Sequence, residues 1–394
     1  VLSRVRTLLL GLAPGAKAGA LSAAWTFPSM LASAFVIAWG AEVAQFFMSQ
    51  GLALAILAWL QILPEFAVEA AIAWRQNVSN MTANFTGSIR LLVGLGWPMI
   101  FLANAYAQKR RTGRWGGDVE LEPEHAIEVV GLLVPILYFT FIWWKATLTV
   151  WDGLLLTGLY LAYLWVVNKM PAKDHEEADE LDFVPRTVMR LRPPLRGWAI
   201  VSMFVLGGGI LVLVAHPFVD SLEALALSVG VSEYVFIQWV APFLSEFPEF
   251  LSSLRWSNTG RHAPMALMNV VSSNINQWTV LAGMIPVVYS LSLGRLAAVP
   301  FDALHRHEIL LTLLQSVLGM LLLVNMRYAW WEAALVFGLW FVQFVRPGLR
   351  QEVIAAYLLA IAGALAQAAL GGRGLHAFGA FARQWRARVA TGTP

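Results

Sequence analysis

Two stretches decide the reading: Gln61-Ile62-Leu63-Pro64-Glu65 and Ser245-Glu246-Phe247-Pro248-Glu249. Each sets a Pro-Glu pair inside a long apolar run that is otherwise nearly free of charge. A proline inside a helix removes one backbone hydrogen bond and frees a carbonyl. A carboxylate at membrane depth is costly without a partner and marks a functional site. Two such breaks, in corresponding places of two halves, point to a binding site built on discontinuous spans.

The surrounding composition fixes the class. The chain has 394 residues, 58% hydrophobic and 13% charged, with a mean hydropathy of +0.64. A soluble domain carries about a quarter charged residues, and a span needs about 20 apolar ones. Several runs here reach that length, so the chain reads as an all-α polytopic membrane protein. It has no cysteine, which excludes disulfides, thiolate metal sites and Cys nucleophiles. Its 18 tryptophans suit wide membrane interfaces. A net charge of +3 gives no reason to expect a nucleic-acid partner. There is no Asp-rich phosphate motif, no His-Glu-x-x-His and no Gly-x-Ser-x-Gly, so no enzyme is expected.

Apolar runs fall near 27–48, 52–74, 82–107, 126–144 and 150–168, and again near 198–216, 231–254, 264–290, 308–325 and 329–346. Glu65 and Glu249 are 184 positions apart, Ser88 and Ser273 185, Asp152 and Glu332 180. A nearly constant offset across three landmarks indicates a duplicated unit. Each unit holds five spans, an odd number, so the second enters the membrane from the opposite side as an inverted repeat. A further run near 353–371 lies outside the duplication. The expected divisions are an N-terminal segment 1–26 lying at the interface, a first five-helix repeat 27–168, a linker 169–197, a second repeat 198–346, and an extra transmembrane helix with a basic tail over 347–394. The Lys/Arg distribution places the linker 169–197 and the C-terminal tail on the cytoplasmic side of a plasma (inner) membrane.

Calcium takes six to eight hard oxygens. Glu65 and Glu249 supply carboxylates, Pro64 and Pro248 free carbonyls beside them, and Ser88, Ser273, Asn274, Asn276 and Gln277 offer neutral oxygens. Glu69, one turn after Glu65, and Glu246, three residues before Glu249, share those helix faces and would modulate the site. Glu69 reads as lining an outer vestibule rather than as a ligand. Asn84 and Asn269 fit bridging between helices as well as ligation. Glu42, Asp152 and Glu332 lie at span ends, where interfacial solvation suffices.

In order, spacing and duplication these motifs resemble the cation/calcium exchanger superfamily, which includes the sodium/calcium exchangers. The resemblance runs over roughly 28–346. The family's Pro-Glu motif stands here at Gln61–Glu65 and Ser245–Glu249. Its Gly-Ser-Asn motif stands at Ala83-Asn84-Phe85-Thr86-Gly87-Ser88 and at Met268-Asn269-Val270-Val271-Ser272-Ser273-Asn274. Trp151-Asp152-Gly153 and Trp331-Glu332 also look like the family. The resemblance implies a ten-helix inverted repeat with cation sites at mid-membrane. Glu65 and Glu249 would be the central ligands, with Ser88, Ser273 and, one turn on, Gln277 or its neighbour Asn276 beside them. The implied activity is secondary antiport of calcium against sodium or protons by alternating access. No covalent cofactor is implied, and the partners are the lipid bilayer and inorganic cations.

The chain departs from the family pattern at several places, among them Ile89, which stands where the family has the Asn of Gly-Ser-Asn. Gln61-Ile62 and Ser245-Glu246 replace Thr-Ser. Leu92 stands where the first repeat should carry a polar ligand. Arg90 follows two residues after Ser88. A guanidinium is effectively always charged, and Arg90 is expected to pair with Glu249 or Glu65 and partly neutralise the site. The alternative function is therefore an exchanger-fold protein that has lost transport and serves as a structural subunit, docking membrane-complex partners through 347–394.

Overall fold

The computed structural model describes residues 16–47, 62–169, 181–259 and 262–390. Gln61, residues 170–180 of the linker and the first part of the 52–74 run lie outside the described residues. In chain order the first repeat carries α1 (Ala16–Leu21), α2 (Ala23–Ala44), α3 (Leu63–Trp74), α4 (Val78–Leu91), α5 (Trp97–Thr112), α6 (Ala126–Lys145) and α7 (Val150–Asn168). The short helix α8 (Phe183–Met189) precedes the second repeat. That repeat carries α9 (Pro193–Val229), α10 (Glu233–Ser245), α11 (Phe247–Thr259), α12 (Ala263–Asn276), α13 (Ala282–Leu293), α14 (Ala303–Leu323) and α15 (Trp330–Val345). The extra span is α16 (Arg350–Ala369), followed by α17 (His376–Gln384). Seven described helical segments are long and apolar enough to cross a bilayer. The chain is an all-α polytopic membrane protein with an inverted repeat of two five-helix units and one extra C-terminal helix.

The repeat extends to fine detail. Single π-helical turns join α4 to α5 at Leu92–Gly96 and α12 to α13 at Gln277–Leu281, 185 positions apart. Such turns occur mostly at functional sites. Ala146 and Met326, 180 apart, both adopt the left-handed conformation, with φ of 58° and 62°. They precede two short strands that pair crosswise between the repeats. The strands β1 (Val119–Glu120), β2 (Thr147–Leu148), β3 (Val299–Pro300) and β4 (Arg327–Tyr328) form two antiparallel ribbons. Val119 pairs with Tyr328 and Glu120 with Arg327, while Thr147 pairs with Pro300 and Leu148 with Val299.

The chain packs as two compact units that cut across the repeats. One comprises Val1–Asn84 and Ala172–Pro248, the other Phe85–Pro171 and Glu249–Pro394. In the first unit α2 lies along α9, with α3 and α10 packed on α9 and on each other. Small residues set the α2–α9 approach. A Cβ on Gly207 would stand 2.7 Å from Ile37, and Ser33 Oγ donates to Gly207 O at 2.8 Å. The α9 helix is longer than the 198–216 run. The residues 217–229 look too polar to continue a span, but their inner face is covered. Phe218 is buried against Phe27, and Ser221 hydrogen-bonds Thr26 at 2.7 Å. Of the segment 1–26 the described part begins at Ala16, and α1 packs on α9.

In the second unit α6 contacts α12 and α14, α7 contacts α13, and α16 runs against α14. Trp278, fully buried in the second π turn, stacks edge-on with Phe85 and Phe139 and donates to Ser316 Oγ at 3.1 Å. The α7–α13 crossing is backbone on backbone: a Cβ on Gly153 would lie 2.4 Å from Gly283 O. Backbone cannot yield as a side chain can. Gly153→Ala should therefore destabilise by about 1–3 kcal/mol, read as a lower unfolding midpoint in detergent; an unchanged midpoint would contradict this packing.

Candidate functional site

The Pro-Glu motif of the second repeat opens a helix. α10 ends at Ser245, Glu246 caps it with φ −94° and ψ −1°, and α11 starts at Phe247 with Pro248 as its second residue. Proline is tolerated there because the first-turn N–H groups lack partners anyway. The break thus falls at Glu246, two residues before the proline. Glu249 sits in the first turn of α11, where the helix N-terminus favours an anion. In the first repeat Pro64 and Glu65 occupy the first turn of α3 in the same way.

Within the second unit Glu249 is half-buried and meets two polar groups from α12. Ser273 Oγ donates to its Oε1 at 2.5 Å, and Asn269 Nδ2 approaches the same oxygen at 3.4 Å. One turn further along, Gln277 Nε2 donates to Ser88 Oγ at 2.8 Å, both side chains being buried. Asn274 Nδ2 reaches Ile89 O at 3.4 Å. Asn276 is buried beside Gln277. So Glu249 and Ser273 form one pair and Ser88 and Gln277 another, all within one compact unit.

Glu65, Glu69 and Glu246 belong to the first unit and are all buried. Glu69 differs from the vestibule reading. It is fully buried, and Asn84 Nδ2 donates to its Oε2 at 2.6 Å. The amide of Asn84 therefore serves Glu69, whereas its repeat mate Asn269 serves the Pro-Glu glutamate itself. The remaining oxygens, Glu69 Oε1 and Asn84 Oδ1, are buried without a hydrogen-bond partner among the described residues.

Where Arg90 is expected on Glu249 or Glu65, the structure gives it Glu308 as an ion-pair partner. It is completely buried, and its Nη2 lies 2.6 Å from Glu308 Oε2 on α14. The reason is helical phase. Residues two apart stand about 200° round the helix, so Arg90 leaves α4 on the face opposite Ser88. Glu308 was missed because the run near 308–325 made it a span end. The helix instead begins at Ala303, capped by Asp302, which accepts from His305 N at 3.0 Å, and Glu308 is buried in its second turn. The signal was in the repeat: Glu122, His125 and Glu128 precede Asp302, His305 and Glu308 by 180 positions each.

Asp152 and Glu332 are not solvated ends either. Asp152 is buried and paired with Lys145, with Tyr138 Oη donating to it at 2.7 Å. Glu332 is buried, paired with Arg373, and accepts from Ala329 N at 2.7 Å. Five of these carboxylates divide by their described partners. Asp152, Glu308 and Glu332 each hold a cationic side chain. Among the described residues Glu249 and Glu69 are met only by neutral donors. A membrane carboxylate of the second kind needs a positive charge from elsewhere.

This fold and these motifs match a known family model. The model described as sodium/calcium exchanger protein fits residues 17–168 and 199–347. The chain belongs to the sodium/calcium exchanger family. Among solved exchanger structures, the H+/Ca2+ exchanger CAX is similar over 98% of this chain and 95% of its own, with 28% identity and a TM-score of 0.85. The sodium-calcium exchanger NCX_Mj soaked with 100 mM Na+ and 10 mM Sr2+ shares the fold over 83% of this chain and 98% of its own, at 20% identity and a TM-score of 0.53. No curated protein matches the chain in sequence. The exchanger model ends at residue 347, so α16 and Arg373 lie outside the matched segments.

Proposed function

We propose that this exchanger-family chain is a secondary antiporter that moves calcium against protons by alternating access. The observation that carries the reading is Glu249, a carboxylate in a helix break with Ser273 and Asn269 as its neutral neighbours. A passing cation supplies the positive charge that the protein withholds there, and Ser273, Ser88 and Gln277 add neutral oxygens of the kind calcium accepts. Glu65 is the corresponding carboxylate of the first repeat, and within its own unit Glu69 pairs with Asn84.

Protons are favoured over sodium as the counter-ion. The H+/Ca2+ exchanger is the more similar of the two reported structures, and Leu92 removes an oxygen from the first repeat. The work is binding and release, with no covalent step, in a plasma (inner) membrane with the linker and tail cytoplasmic. The reading as a non-transporting subunit rests on Leu92, Arg90 and the extra span; of these, Arg90 has its charge matched by Glu308.

Purified protein in vesicles tests this. Acid-loaded vesicles diluted into alkaline buffer should take up radioactive calcium, and uptake should vanish when the two pH values are equalised. Sodium-loaded vesicles at constant pH should take up none. Uptake driven by sodium alone would overturn the counter-ion, and no uptake under either gradient would overturn antiport.

A further inference from the structure

Glu308 holds two arginines, one on each oxygen. Oε2 receives Arg90 of α4, and Oε1 receives Arg350, the first residue of α16. Arg90 is anchored on its own helix as well. Its Nε donates to Thr86 O at 3.1 Å and its Nη2 to Thr86 Oγ1 at 3.3 Å. A second tie joins the same pair of helices: Gln315 Nε2 of α14 donates to Arg90 O at 3.0 Å. Gln315 lies two turns beyond Glu308, about 10 Å along the helix, so α4 is fixed to α14 at two separated points.

The opposite face of that α4 turn carries Ser88 and is held by α12 through Gln277 and Asn274. The turn 86–90 is therefore gripped from both sides. The grip from α14 depends on a span outside the duplicated unit. That span is tied at its other end too, since Arg373, just after α16, pairs with Glu332 at the start of α15. The repeat mate of Arg90 is Ile275, so the arrangement exists in one half only.

We propose that Glu308 and Arg350 are positioning residues for the cation site, holding through Arg90 the α4 turn that presents Ser88. With one guanidinium on each oxygen the Glu308 carboxylate cannot rotate, and Arg90 meets a fixed acceptor. Without Arg350 the carboxylate loses the guanidinium on Oε1 that holds its orientation, and the Ser88 turn keeps the Gln315 tie but a weaker stop at Glu308. This rests on the exchanger reading for its effect on transport, but the mechanical link stands on the geometry alone.

Arg350 is the residue to change, because it is 26% exposed and its loss leaves the Arg90–Glu308 pair intact. The experiment compares wild type, R350Q and R350K in vesicles with two readouts. The first is hydrogen–deuterium exchange over 86–96, which needs no transport. The second is calcium uptake against calcium concentration. R350Q should speed exchange in that segment and raise KM for calcium about tenfold, the low end for outer partners of metal ligands, with the maximal rate kept. R350K, which keeps a cationic donor on Oε1, should recover most of the affinity. Unchanged exchange would overturn the link. Faster exchange with unchanged KM, or a lower maximal rate with unchanged KM, would overturn the positioning role. Absence of calcium uptake in wild type would sink the exchanger reading instead, and the exchange readout would still decide whether Arg350 holds the turn.

Discussion

Glu249→Gln is expected to abolish calcium uptake while leaving the protein folded. Glutamine keeps the shape of the side chain and can still accept from Ser273 Oγ, the hydrogen bond seen at 2.5 Å. What it removes is one negative charge from a place where the partners are neutral. A contact between unit charges 4 Å apart is worth about 4 kcal/mol at an effective dielectric of 20, and a dication doubles it, so uptake should fall by about a hundredfold or more. Stability gives a second reading. Calcium binding only the folded state raises the unfolding midpoint of wild type, and the mutant should show no such rise. Because no cationic side chain among the described residues meets this carboxylate, the mutant without calcium should be at least as stable as wild type. Uptake near the wild-type level in Glu249→Gln would remove this residue from the central role.

Glu308→Gln should behave in the opposite way, as a stability lesion. It strands a fully buried guanidinium, Arg90, together with the partly buried Arg350. Breaking a buried pair by removing one partner costs about 3–5 kcal/mol, whereas replacing both members by apolar groups is often neutral. The single mutant should therefore unfold at much lower temperature or express poorly, and Arg90→Met with Glu308→Leu should recover most of the loss. A double mutant no more stable than Glu308→Gln would mean that the ion pair is not what the core of α14 is built around. The contrast between the two glutamates is the useful point. Glu308 has arginine partners, whereas the described partners of Glu249 are neutral, and the two substitutions are expected to differ for that reason.

Much of the architecture was legible because duplication amplifies weak signals. A single Pro-Glu pair is an ordinary kink, but two copies 184 positions apart located both α3 and the α10–α11 break. The 180-position offset of Asp152 and Glu332 would have found Glu308 through Glu128, had the motif Glu122-x-x-His125-x-x-Glu128 been compared with Asp302-x-x-His305-x-x-Glu308. Hydropathy hid it, since a polar first turn reads as loop until its buried face is known. The length of α9 was hidden for a related reason. Asp220 and Glu223 face an ion cluster with Arg75, 2.7 Å from Asp220, while Phe218 and Ser221 pack inward, and a window average cannot separate the two faces. Arg90 shows what hydropathy alone omits. Its nearness in sequence to Ser88 suggested a shared site, but helical phase sends the two side chains to opposite sides of α4. Glu332 could not be assigned its partner from sequence, because Arg373 arrives from 41 positions away.

The central claim is that an exogenous cation supplies the charge Glu249 lacks. A high-resolution map of the protein in saturating calcium tests it most directly. The account predicts ion density about 2.3–2.6 Å from a Glu249 carboxylate oxygen, the ordinary calcium–oxygen distance, with Ser273 Oγ turned to coordinate rather than donate. A map in which Glu249 stays closed on Ser273 and Asn269, with no density beside it at saturating calcium, would contradict it.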